Sequence, residues 1–293
     1  MHFVNYNEES GLMKLDEHSY YYSDRFGKVL FKTVETKGTE GLYFSRKILP
    51  FFAIFTGPPD DDRNGDFYFI GEASKHYRFV GNEKLINDTL EMLDVSNLNV
   101  QVQTQEIDYK YSTLFYNIAL SNPSNIAEIG DVFPVLTIKN SYNKTIKESI
   151  SYGFGMYNEG RFYSYTSSKL FGQFSRRHMN NSLTREKNFI LDGVEKLVDD
   201  IPFVCSEMAN FTVNQDEIIA IIETVEALGK KRHEALVSLV QSFNENNISV
   251  WKIFIAILKF ISVEKNFNAR RVLENIAEKI IILPTKISNA INN

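Results

Sequence analysis

The chain is short of several things at once, and each shortage closes off a class of protein. Its 293 residues include one cysteine, Cys205. That excludes an intramolecular disulfide and a cysteine-built metal site, and it fits a reducing compartment. The longest apolar run, Ile253 to Leu258, is far below the roughly 20 residues a membrane helix needs. The first residues, Met-His-Phe-Val-Asn-Tyr-Asn-Glu-Glu, lack the basic and apolar regions of a secretory signal. The expectation is a cytoplasmic protein with no membrane partner. His2, His18, His76, His178 and His233 are scattered with no metal-ligand spacing. No phosphate loop and no Gly-x-Ser-x-Gly elbow occurs. Gly153-Phe-Gly155 followed by Gly160 is no dinucleotide fingerprint, because strand residues rather than a helix start come next. No motif points to catalysis, so the reading is a non-enzyme without cofactors.

What is present favours sheet first and helix later. There are 23 Phe and 15 Tyr, and 43% of the residues are hydrophobic, enough for a sizeable core. Lys28 to Glu35 alternates and is expected to break at Gly38 and Gly41. Pro50 to Thr56 is a continuous apolar run entering a Gly-Pro-Pro turn, with 66–71 as its hairpin partner. A short helix is predicted over 84–93, and strands over 100–107, 112–120, 132–140 and 148–157. After Phe189 the period becomes helical. Helices are expected over 215–228, with Thr212 and Gln215 as a capping box, then over 231–243, 249–263 and 269–283. The 249–263 helix holds the only Trp, Trp251, and is apolar almost all round, so it should be buried. The fold class is α+β, a strand-rich domain over 1–188 with a mostly antiparallel curved sheet, followed by a helical bundle over 189–293.

Charge is unevenly spread. The net charge is −5, yet residues 161–187 carry six Lys and Arg against one acid, Glu186. A local positive strip attracts phosphates even on an acidic molecule, because screening limits each charge to roughly 8–10 Å. This segment interleaves Arg161, Tyr163, Tyr165, Lys169, Phe174, Arg176, Arg177, His178, Arg185 and Lys187. Cations that track phosphates and aromatics that stack on bases are what single-stranded nucleic acid requires. The alternative is a strand-to-helix connection whose aromatics pack inward and whose cations are merely solvated. A second cluster, Asp60, Asp62, Asn64 and Asp66, partly follows a calcium-loop pattern. Gly71 stands where the pattern needs its closing Glu, so an acidic hairpin loop is the reading and a metal site the lesser alternative.

Three stretches carry a resemblance. Gly130-Asp131 with Pro134 leads into Asn140-Ser141-Tyr142-Asn143; Arg176-Arg177-His178 follows, and then Trp251 with Ala256. In that order they resemble a family of phage- and plasmid-encoded proteins of uncharacterised function, over roughly residues 105–283. The chain departs from the family at Gly155 to Gly160, which lacks the family's Arg and Cys, and at Lys252 and Ile255, where Asp and Asn are usual. By analogy of fold the family is similar to single-strand annealing mediators, whose sheet and helix line a basic groove and whose subunits form rings. The resemblance implies a phage-encoded single-stranded DNA binding or annealing protein of replication or recombination that self-associates in a bacterial host. The alternative is a virion-associated or host-interaction protein.

Overall fold

A computed structural model describes residues 13–284 apart from 17–18, 41–42, 60–66, 75–76, 78, 109, 144–147, 177–182 and 246. The order of elements is α+β, with most strands before most helices. Five strands form one sheet in chain order: β1 (Met13–Asp16), β2 (Ser19–Asp24), β3 (Gly27–Glu40), β4 (Tyr43–Gly57) and β5 (Tyr68–Ser74). Each pairs antiparallel with the next. Helix α1 (Asn82–Val95) follows, then β6 (Val100–Ile107), β7 (Thr113–Leu120), β8 (Ser124–Ile126), β9 (Gly130–Ser141), β10 (Glu148–Asn158), β11 (Arg161–Thr166) and β12 (Gln173–Arg176). These strands build a second sheet in the order β11-β10-β9-β7-β6, with β8 on β9 and β12 on β10. The helices α2 (Leu183–Asn210), α3 (Gln215–Glu223), α4 (Lys230–Gln241), α5 (Val250–Val263) and α6 (Phe267–Ile281) complete the chain, with a short ladder between β13 (Thr212–Val213) and β14 (Ile248–Ser249). Among the described residues, no helix is long and apolar enough to cross a membrane.

The chain clusters into two compact units that interleave in sequence. One comprises 1–118, 137–151 and 173–191, and the other 119–136, 152–172 and 192–293. In the first, alternation along the strands turns Tyr20, Tyr22, Val29, Phe31, Phe52 and Ile54 to one side of the five-stranded sheet. There they are buried with Tyr77, Phe79 and Tyr142. The ring pairs are mostly edge-on, such as Phe31 with Phe79 at 5.5 Å and 84°, the arrangement that aromatic quadrupoles favour. Gly38 does not end its strand. β3 continues to Glu40, because the ladder to β4 pairs Gly38 with Ser45, and a partnered backbone tolerates the missing side chain at a modest cost.

The second unit is built on α5. Eight of its residues are buried, among them Trp251, Ile253, Phe254 and Ile257. Trp251 stacks on Phe154 at 5.8 Å and 27°, so the only tryptophan belongs to the core. The glycines of β10 have packing roles: a side chain on Gly153 would come within 1.9 Å of the Tyr165 carbonyl oxygen, and one on Gly155 would strike the Phe162 ring. Helix starts follow local chemistry. Ser249 and Asn266 accept the Lys252 and Ala269 amides. The capping box at α3 is Asn214 with Glu217, two positions beyond the expected pair, since Thr212 is held in the β13–β14 ladder. That helix ends at Glu223 rather than running to residue 228. A turn of 3-10 helix over Glu226–Leu228 follows before Gly229, whose φ of 76° suits glycine.

Candidate nucleic-acid interface

The basic segment divides into two parts of different character. The first part lies in the second unit. β11 pairs with β10 from Asn158 opposite Arg161 to Gly153 opposite Thr166. Period-two alternation turns Tyr163 and Tyr165 into the core, at 9% and 6% exposure, with Tyr165 edge-on to Phe254 at 5.1 Å. Buried rings offer no face to a base, so stacking by these two tyrosines is withdrawn. Burial, with Glu278 and Glu274 nearby, raises the Tyr165 hydroxyl pKa well beyond the ordinary tyrosine range. Lys169 donates to Glu278 at 2.6 Å, and the same carboxylate accepts from the Ser167 hydroxyl at 3.0 Å. Arg161 is exposed beside Glu159. That carboxyl is held below its ordinary value chiefly by Lys259, 2.7 Å away, with a smaller contribution from Arg161. Acids therefore answer the cations in this part. Sequence could not show it, because Glu278 lies 109 residues from Lys169.

The second part lies in the first unit. β12 pairs with β10 and sets Phe174, half-buried, opposite Ile150 and Arg176 opposite Glu148. Glu148 is buried at 4% exposure. The ladder thus places a carboxylate, distant in sequence, across from Arg176. Arg177 and His178 lie outside the described residues, as do Asp60, Asp62, Asn64 and Asp66 of the acidic loop. Among the described residues no group of His, Cys, Asp and Glu has metal-site geometry. Helix α2 begins at Leu183, earlier than the change of period at Phe189, and so carries Arg185 and Lys187 in its first turns. Its buried positions Ile190, Val194, Leu197, Ile201, Cys205 and Met208 recur at helical spacing. Desolvation pushes the Cys205 thiol up to about 12, which keeps it protonated and unreactive near neutrality.

The Asn-Ser-Tyr motif turns out to be a clasp. Helix α1 starts after Gly81, which has no side chain to cap it. A side chain there would lie within 2.2 Å of the Tyr22 hydroxyl. Its first amides are satisfied from elsewhere. Asn82 N–H donates to the Tyr142 hydroxyl at 3.0 Å, and Glu83 N–H donates to Asp24 at 3.0 Å, placing a carboxylate at the positive end of the helix. Asn140 donates to the Val80 carbonyl at 3.2 Å and to Asn82 Oδ1 at 2.8 Å. Asn143 donates to Ser112 Oγ at 3.0 Å, and Ser112 in turn donates to Asp108 at 2.6 Å. Every group named is engaged within the protein, so this motif supports structure. No protein family, curated protein or solved structure matches the chain.

Proposed function

We propose that this chain is a non-enzymatic, phage-encoded protein that binds or anneals single-stranded DNA, with self-association as part of that activity. The observation that supports this reading is the segregation of charge in the second part of the basic segment. Arg176, Arg177, Arg185 and Lys187, with His178 among them, join a short strand to a helix, and Glu186 is the only acid between them. Arg161, Lys169, Tyr163 and Tyr165 leave the set of contacts, because acids or the core already engage them.

The test is a titration with a labelled single-stranded oligonucleotide at several salt concentrations. About four phosphate contacts, each worth about 0.7 in the log–log slope for a single strand, give a slope of about −3. Duplex of equal length is expected to bind more weakly. Absence of binding at low salt up to micromolar protein refutes the proposal and leaves the reading as an interaction protein.

A further inference from the structure

The strands that end the two large sheets are not alike. β1 is four residues long and carries Lys14 and Asp16. β5 has Glu72 and a bulge at Ile70, an extra residue between the pairs Ile54–Gly71 and Phe55–Phe69. β11 begins at Arg161. Charge, bulges and shortness are the devices that keep a free strand edge from recruiting another strand. β6 ends the second sheet, with β7 as its one strand neighbour among the described residues. It is eight residues long, and from Asn99 to Gln105 the chain has no charge, proline or glycine. Asn99, Gln101, Gln103, Thr104 and Gln105 are exposed, and Val100 and Val102 are half-buried.

The side chains from Asn99 to Gln105 read alike in both directions: amide, β-branched, amide, β-branched, amide, β-branched, amide. Alternation puts the four amides on one face and Val100, Val102 and Thr104 on the other. Contacts within the chain hold both sets on β7. The Tyr116 hydroxyl donates to Gln103, and Asn117 donates to Thr104 Oγ1 at 3.1 Å while accepting from Thr137 at 2.6 Å. An antiparallel copy of β6, turned about a two-fold axis at Val102, sets Val102 opposite the partner's Val102 and Gln101 opposite the partner's Gln103. Val100 then meets the partner's Thr104, and Asn99 the partner's Gln105. An amide offers both donor and acceptor, so it satisfies its own kind, and β-branched residues suit a pleated surface. Every second residue of β6 turns its N–H and C=O to the free side, where this ladder forms.

We infer that β6 is a self-association edge, which joins its sheet to that of a second copy of the chain in a two-fold antiparallel ladder. The inference rests on the proposed function for the self-association named there, and gives it a surface. A nucleic acid would need cations along this edge, and none lies between Asn99 and Gln105. The palindromic order matches a partner of the same sequence, a constraint that an unrelated strand would not impose. Glu106, the first acid after this stretch, falls opposite the partner's Leu98. The two copies of Glu106 then lie about 27 Å apart, at opposite ends of the joint, and do not repel. The contact is isologous and closes on itself, so it gives a dimer and not a fibre. It is short against the roughly 20–30 residues a side of a standard interface, so the dimer depends on concentration.

The test is sedimentation of the full chain over a range of concentrations, without nucleic acid. The wild-type chain is expected to pass from monomer to dimer. Gln101→Lys with Gln105→Lys, both at exposed positions, lays like charges along the joint and is expected to weaken the dimer at least about tenfold. Gln101→Glu with Gln105→Glu does the same, and mixing the two double variants restores the dimer. Val102→Cys is expected to form an intermolecular disulfide on oxidation, because directly opposite Cα atoms lie about 4.5–5.5 Å apart. Asn99→Cys, about 20 Å from its counterpart, is expected to stay unlinked, and Cys205 is buried. A wild-type monomer at the highest concentration reached overturns the inference. So does a dimer indifferent to both charged variants, or linkage of Asn99→Cys as ready as that of Val102→Cys. Oligonucleotide binding by a chain that stays monomeric sinks the β6 joint and leaves the nucleic-acid reading standing. A β6 dimer that binds no oligonucleotide does the reverse.

Discussion

Phe154→Ala provides a sharp test of the packing in the second unit, because the chain carries its own reporter there. Phe154 is 1% exposed. Its ring meets Trp251 at 5.8 Å, Phe254 at 5.7 Å and Phe171 at 6.0 Å. Truncating a buried phenylalanine removes its transfer free energy and leaves a cavity, together about 3–5 kcal/mol. Neighbours in a strand and a helix both fixed by backbone hydrogen bonds can close that cavity only in part. Trp251 is the only tryptophan, so its emission reports the second unit alone. With a urea slope of about 2–3 kcal/mol/M, the emission midpoint is expected to fall by about 1–2 M. Native emission should also shift to the red as the stacked face of the indole opens. A midpoint displaced by less than about 0.3 M, or wild-type emission already typical of an indole in water, refutes the account of this core.

Two further results are expected. Tyr142→Phe leaves the buried Asn82 amide without its acceptor and should cost about 1–3 kcal/mol; Asn140→Ala should cost a similar amount, because Val80 and Asn82 lose a shared donor. Both are checked by equilibrium unfolding, and parental stability in both would remove the clasp assigned to this motif. Stability should also fall in alkali. Burial raises Tyr152 and Cys205 to about 12 from ordinary values of 10.0 and 9.0, and it raises Tyr22, Tyr77, Tyr142 and Tyr165 as well. The folded state keeps these protons longer than the unfolded state, so their contribution is whole below about pH 9 and is lost as pH rises toward 12. A flat unfolding midpoint between pH 9 and 11 would contradict that burial.

The strands and helices were legible in the sequence where one period dominated. The strand ending at Gly57 and the helix ending at Val263 follow directly from an apolar run that enters a Gly-Pro-Pro turn and from an apolar helical run with Ser249 in front. Gly38 misled because a cross-strand partner outweighs local propensity. The turn at 224–229 misled because an apolar repeat passes through it while the backbone tightens. For the candidate site, the positive segment was visible, but the inward turn of Tyr163 and Tyr165 depends on the pairing of β11 with β10. The acid that Lys169 meets comes from α6, and the residue paired with Arg176 in the ladder comes from β10. That β6 ends its sheet depends on a strand order that no residue pattern announced.

The central claim is that Arg177, Arg185 and their neighbours contact phosphates. Arg176 is a poorer probe, because it lies within β12, in register with Glu148 of β10, where a substitution also acts on a strand pairing. The most direct measurement is therefore the salt dependence of single-strand binding for the wild-type chain and for the Arg177→Ala, Arg185→Ala double variant. Two lost contacts should lower affinity at low salt and reduce the magnitude of the log–log slope by about 1.4, with the melting curve unchanged. An identical slope and affinity in the double variant, with the protein folded, would contradict the assignment.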